Sequence, residues 1–202
     1  MIIIGVTGGF GTGKSTVSKI FNGLGASVLD ADKLAHKAIR PGAAAYKKAV
    51  KLFGSSILNK EKKIDRKKLS QLVFSDAKAR RALEGIVHPQ VIKDIKKSIA
   101  KLAKRKSCKA VALDVPLLIE AGMHKLVDVL VVVSASREKV FERLSKKGFS
   151  KKEILTRQKA QLGMAAKAAL ADYVVDNSDG FNKTRMQVRN IWLQVKSRCR
   201  RR

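Results

Sequence analysis

The sequence predicts an α/β protein built on a parallel sheet with helices packed against it. Three observations carry this reading. Five short β-rich runs, Ile2–Val6, Ser27–Leu29, Ala110–Val115, Val127–Val133 and Tyr173–Val175, are separated by stretches of helical pattern, the alternation expected of a parallel sheet. Most of the runs are continuously apolar, as strands covered on both faces must be. The intervening stretches carry apolar residues at helical spacing, for example Ile92, Ile95, Ile99 and Leu102, or Val188, Ile191, Trp192 and Val195.

The first strand, Ile2–Val6, runs into Gly8-Gly9-Phe10-Gly11-Thr12-Gly13-Lys14-Ser15-Thr16. This satisfies the phosphate-binding pattern G-x-x-x-x-G-K-[ST] in full. Val17, Ile20 and Leu24 then predict a helix. Strand, glycine-rich loop and helix in this order define a P-loop of the nucleoside-triphosphatase type. Gly8, Gly11 and Gly13 let the backbone close around an anion, because no Cβ stands in the way. Loop N–H groups, including those of Thr12 and Thr16, and the helix N-terminus face the phosphates. Lys14 reaches the β- and γ-phosphates of ATP, and the Ser15 hydroxyl serves Mg2+.

Asp30-Ala31-Asp32 stands just past the second strand. This is the sheet edge where ligands bind in doubly wound folds. A kinase acting on a hydroxyl needs a carboxylate that accepts its proton; one of Asp30 and Asp32 suits that task, and one suits a helix cap. The third strand, Ala110–Val115, carries Asp114 near its end, a Walker-B-like candidate for the metal.

Two stretches are too long for simple crossovers. Residues from about Pro41 to Lys106 form a helical insertion between two strands. Residues from about Arg137 to Ala168 are helical, basic and interrupted by Gly148 and Gly163, and are expected to form a lid. Within the lid, Ser150 and Glu153 make a capping-box pattern. A single kinase domain spans 1–202.

Composition narrows the function. With 45% hydrophobic residues in 202, the chain can bury a sizeable core; with 5% aromatic, Ala, Val, Leu and Ile must fill it. Lys and Arg number 44 against 16 Asp and Glu, a net charge of +28. That favours anionic partners, although the lysines are spread along the chain as on a solvated surface, with denser groups at Lys60–Lys63, Lys101–Lys109 and the tail Lys196–Arg202. Few aromatics and no nucleic-acid module argue against specific nucleic-acid binding, leaving weak nonspecific binding. The two cysteines, Cys108 and Cys199, have no metal spacing and fit a reducing cytoplasm. The apolar start is too short for a signal peptide. No apolar run approaches the roughly 20 residues that span a bilayer, so no membrane partner is expected. A GTPase would carry N-K-x-D; the nearest string, Asn59-Lys60-Glu61-Lys62, ends in Lys.

The order of Thr7–Thr16, Asp30-Ala31-Asp32, Arg40-Pro41-Gly42, His88-Pro89, Asp114-Val115-Pro116-Leu117-Leu118-Ile119-Glu120, Arg157–Gln161 and Ala171–Ser178 resembles the dephospho-coenzyme A kinase family over nearly the whole chain. The resemblance implies phosphorylation of the ribose 3′-hydroxyl of dephospho-coenzyme A by ATP. It makes Asp32 the base or hydroxyl-orienting group and puts Lys14 and Ser15 on the ATP phosphates and Mg2+. His88, Pro116 and Leu117 fall on the acceptor side. Read from its residues alone, His88-Pro89 suits a helix start, with Pro89 in the first turn. Asn177 falls either near adenine or in a turn. Arg143 and Arg157 are the lid arginines expected to meet charge on the transferring phosphoryl group, with Arg137 a weaker candidate. Where the family often has Arg, this chain has Lys146-Lys147-Gly148, which keeps the charge and loses the bidentate fork. The competing readings are another small-molecule kinase, such as a nucleoside kinase, and a nucleic-acid-binding ATPase.

Overall fold

The computed structural model describes residues 1–105 and 109–200. Cys108 and the end of the basic tail, Arg201 and Arg202, lie outside them, as do the side chains of Arg198, Cys199 and Arg200. The described residues divide into two compact units, Met1–Asp30 with Lys101–Arg202, and Ala31–Ala100.

The first unit holds a five-stranded, all-parallel sheet. Its strands are β1 (Ile2–Gly8), β2 (Ser27–Asp30), β3 (Ala110–Asp114), β4 (Val129–Ser134) and β5 (Tyr173–Asp176), in the order β2-β3-β1-β4-β5. All five expected strands are present, with ends shifted by one or two residues. Ile4, Val6, Val111, Ala112, Leu113 and Val131–Val133 are fully buried, which explains why these runs show no polar alternation. One face is covered by α1 (Lys14–Gly23) and α9 (Phe181–Arg200). There Phe21 and Trp192 meet edge-on at 6.3 Å within a cluster that includes Val17, Val188, Ile191 and Val195.

The sheet order places β1 between β3 and β4. The connection leaving β1 runs to β2 on one side and the connection leaving β4 runs to β5 on the other, so the strand order reverses between β1 and β4, the switch point where doubly wound sheets bind ligands beyond the C-terminal ends of their strands. The P-loop follows β1 directly. The same unit carries α6 (Arg137–Ser145), α7 (Lys151–Lys159) and α8 (Met164–Leu170), which occupy the stretch expected as a lid. The Ser150–Glu153 capping box opens α7 as expected.

The second unit is helical: α2 (Ala31–Ala38), α3 (Ala44–Phe53), α4 (Arg66–Ser75) and most of α5 (Ala77–Ala103). Ala49, Ile57, Ile64 and Leu69 form its small core, with Tyr46, Phe53 and Leu72 packed around them. The Asn59–Lys62 string forms a tight turn. Asn59 Oδ1 accepts from the N–H groups of Glu61 and Lys63 at 3.0 and 2.9 Å, and Lys62 takes a left-handed φ of 57°.

Pro89 departs from the sequence expectation. It lies inside the 27-residue helix α5, not in a first turn. A proline there removes the hydrogen bond to the carbonyl of Gly85, four residues earlier. Both Gly85 and Pro89 are exposed, so water can serve that carbonyl, and the apolar stripe that continues through Val91 and Ile95 keeps the helix going. No helix among the described residues is long and apolar enough to cross a membrane.

Candidate active site

The P-loop is shaped by contacts that only glycine permits. Gly8 has φ +153°, and a Cβ on it would lie 2.2 Å from the carbonyl oxygen of Val133. Gly13 has φ +93°, and a Cβ there would lie 2.1 Å from Nδ2 of Asn177. Gly11 sits under α6, beside Leu144 and Val140. Thr12 is buried, and its hydroxyl donates back to the carbonyl of Gly9 at 3.0 Å.

Helix α1 starts at Lys14 without a side-chain cap and with no acidic residue in its first turn. Its positive end therefore stays available to an anion. Lys14 Nζ donates to the carbonyls of Gly8 and Gly9 at 3.2 and 2.9 Å, so the ammonium lies across the loop. Ser15 is exposed and Thr16 half-buried at the start of the same helix. The loop thus fits the polyphosphate of a nucleoside triphosphate: a positive φ cradle, an uncapped helix end and a cation across it.

Asp114 is 7% exposed at the end of β3. In the parallel register it stands beside Val6 of β1 and Asp30 of β2. Among the described residues no group of three or more His, Cys, Asp or Glu is placed to hold a metal. Mg2+ commonly takes only one or two carboxylates and completes its shell with phosphate and water. Ser15 and Asp114 fit that donor set.

Asn177 directs its side chain into the protein. It is 4% exposed. Its Nδ2 donates to the carbonyl of Thr12 at 2.8 Å, and its Oδ1 accepts from the Thr184 hydroxyl at 2.8 Å. With both amide atoms engaged, Asn177 braces the P-loop from within the protein. Arg143, on α6, reinforces the same point: Nη2 donates to the carbonyl of Asn177 at 2.6 Å and Nη1 to that of Thr12 at 3.4 Å.

Arg157, on α7, packs its guanidinium over the rings of Phe10 and Phe149, 5.0 and 4.7 Å from their centroids. The two rings meet edge-on at 5.3 Å. Burial lowers the Arg157 pKa, partly countered by the charge of Glu153, and the group stays protonated. Arg137, the weaker candidate, stacks instead on Phe141 of its own helix at 5.7 Å.

Pro116 and Leu117 are half-buried just after β3. The carbonyl of Pro116 accepts from the Thr7 hydroxyl at 3.0 Å, and Val115 N–H donates to Val6 at 3.1 Å, so this turn is laced to the strand that enters the P-loop.

In the second unit, Asp32 is exposed in the first turn of α2, two residues past the end of β2. A carboxylate there is favoured by the helix dipole. His88 is half-buried within α5.

Residues that sequence reasoning missed are Thr7, Thr184 and Lys167. Lys167, wholly buried, pairs with Glu120 at 2.9 Å. A lone lysine in the otherwise apolar helix Met164-Ala-Ala-Lys-Ala-Ala-Leu170 was the available signal.

A family model described as dephospho-CoA kinase (CoaE) matches residues 2–183. The chain belongs to the dephospho-CoA kinase family. It is 43% identical over 190 residues to the dephospho-CoA kinase of Carboxydothermus hydrogenoformans, covering 94% of this chain and 92% of that one. Against the Aquifex aeolicus enzyme it is 43% identical over 192 residues, covering 95% and 96%. Among solved structures it is similar to TT1252 from Thermus thermophilus, with a TM-score of 0.81, 32% identity and 96% coverage of both chains. Dephospho-CoA kinase from Campylobacter jejuni gives a TM-score of 0.69 at 28% identity, also with 96% coverage of both. A shikimate kinase from Acinetobacter baumannii, at 16% identity and a TM-score of 0.52, shares the fold.

Proposed function

We propose that this family member transfers the γ-phosphoryl group of ATP to the ribose 3′-hydroxyl of dephospho-coenzyme A, giving coenzyme A and ADP. The observation that carries the proposal is the complete P-loop at the C-terminal end of the central strand β1, in a chain whose family model spans residues 2–183.

In this reading the loop N–H groups and the end of α1 hold the β- and γ-phosphates, and Lys14 swings from the Gly8 and Gly9 carbonyls to the same oxygens. Ser15 and Asp114 would hold Mg2+, which neutralises phosphate charge when bound. The acceptor 3′-oxygen attacks the γ-phosphorus, the bond from that phosphorus to the β,γ-bridging oxygen breaks, and ADP leaves. The hydroxyl proton passes to the Asp32 carboxylate. Arg143 and Arg157 supply positive charge beside the loop; their support is the contact of Arg143 with Thr12 and of Arg157 with Phe10. The helices of 137–168 act as the lid. His88, Pro116 and Leu117 serve the acceptor, on the strength of the family resemblance. The unit Ala31–Ala100 contains most of the expected acceptor-side insertion. A cytoplasmic location and weak, salt-sensitive binding to nucleic acid complete the reading. The latter is supported by the +28 charge.

The test is ADP release with ATP and Mg2+, comparing dephospho-coenzyme A with adenosine, AMP and single-stranded nucleic acid, with mass detection of product. A gain of one phosphoryl group on dephospho-coenzyme A alone is expected. Transfer to another acceptor instead, or ATPase activity stimulated by nucleic acid, would overturn the assignment of substrate.

A further inference from the structure

Lys167 is fully buried, a state lysine almost never adopts without a partner. Its Nζ lies 2.9 Å from Glu120 Oε1 and 3.5 Å from the carbonyl oxygen of Pro116. The same Glu120 oxygen accepts from Leu162 N–H at 3.0 Å. Burial pushes the Glu120 carboxyl up, but the hydrogen bonds from Lys167, its own backbone and Leu162, with the Lys167 charge, outweigh this and hold it below its ordinary value. Glu120 is therefore ionised at neutral pH, and the contact is a true ion pair.

An ion pair with its lysine wholly buried and its carboxylate 23% exposed is a poor source of stability, because desolvating the charges offsets their attraction; apolar residues of similar volume often serve as well. Helix α8 is otherwise Met, Ala and Leu and could have carried such a residue. What the pair provides is geometry. It ties the turn 116–120 to the segment 162–167. Thr7 holds the same Pro116 carbonyl from the side of β1. Met164, one turn before Lys167, lies against the P-loop, 3.2 Å from where a Cβ of Gly9 would stand. One short helix thus touches both the phosphate loop and the turn that follows Asp114.

We propose that Lys167, acting through Glu120 and the Pro116 carbonyl, is a positioning residue for the turn Val115–Leu117 and sets acceptor alignment rather than ATP binding. The proposal rests on the acceptor-side role of Pro116 and Leu117. Misplacing a positioning element by about 1 Å can lower turnover by as much as about 100-fold.

The test is the paired variant Lys167→Met with Glu120→Gln. It leaves no buried charge and keeps an acceptor for Leu162 N–H. The pair should unfold within a few degrees of the parent, while Lys167→Met alone should be clearly less stable. Turnover of the pair should stay at least about tenfold low, with KM for dephospho-coenzyme A raised several-fold and KM for ATP within about twofold. Recovery of turnover and acceptor KM together with stability would show the ion pair to be merely structural and overturn the proposal. If the pair does not fold, Glu120→Gln alone is read the same way, and an unchanged acceptor KM overturns it. The amide NMR signals of Leu117 and Leu118 give a readout independent of substrate identity. They should shift in either variant even if the parent acts on a different acceptor, and unshifted signals sink the positioning role whatever the substrate.

Discussion

Asn177 Nδ2 donates a 2.8 Å hydrogen bond to the carbonyl oxygen of Thr12, joining the end of β5 to the P-loop across 165 residues of sequence. The same side chain accepts from Thr184 in α9. The phosphate loop is therefore held from inside the protein as well as by its own glycines. Asn177→Ala would remove both of these hydrogen bonds, leaving the Thr12 carbonyl to Arg143 and the Thr184 hydroxyl to the Gly180 carbonyl, a loss of about 1–3 kcal/mol. Urea unfolding should register that loss, and ATP titration should show a KM raised about tenfold. Asn177→Asp should bind ATP more weakly still, because it removes the donor and adds an anion near the phosphates. Unchanged ATP affinity in both variants would contradict the bracing role.

Gly13 is predicted to tolerate no side chain. Gly13→Ala adds a Cβ at 2.1 Å from Asn177 Nδ2 on a backbone with φ +93°, so both the asparagine and the loop must move. ATP binding measured by calorimetry should weaken by at least about tenfold, with the circular dichroism of the sheet and helices retained.

Lys14→Met should leave the fold intact, because methionine keeps the unbranched apolar stem of Lys14, which is half-buried at the start of α1. Turnover should fall by about 100- to 1000-fold, the loss typical when one charge-stabilising donor is removed. Single-turnover kinetics would separate this from slower product release.

Asp32→Asn tests the proton acceptor. The residue is exposed at the start of α2, so stability should change little. Turnover should drop by about 100- to 10,000-fold while both substrates still bind. Near-normal turnover with both substrates bound would remove Asp32 from the chemistry.

Glu142, on α6, lies between Lys146 at 2.8 Å and Lys139 at 2.9 Å. Hydrogen bonds from these two ammonium groups, Lys146 first, and then their charges lower its pKa to about 2. A carboxyl whose folded pKa lies below its unfolded value contributes stability that is present above about pH 4.5 and is lost as pH falls towards about 2. Carbon NMR of the Glu142 carboxyl should show that low midpoint. In about 1 M salt, where the Debye length shrinks to about 3 Å, the midpoint should move back up, because the group is exposed to solvent.

The legible parts of this protein were those encoded locally. Ile2–Val6 and Ala110–Val115 read as strands because burial on both faces demands continuous apolar side chains. The P-loop read as a phosphate site because its glycines, Lys14 and Ser15 are contiguous, and Ser150 with Glu153 read as a helix start because a capping box spans a single turn. Pro89 lies inside α5 and not in a first turn because its local preference yields to the exposed position of Gly85 and the apolar stripe of the helix, neither of which the dipeptide His88-Pro89 encodes.

The sequence by itself determined the sheet, the phosphate loop and the family, since each rests on short patterns whose chemistry is complete within a few residues. Tertiary structure alone decided that Asn177 and Arg143 hold the P-loop backbone, that Arg157 stacks on Phe10 and Phe149, and that Lys167 is buried against Glu120. These roles depend on which distant side chains the strand order brings to one edge of β1, and on which charges burial removes from water.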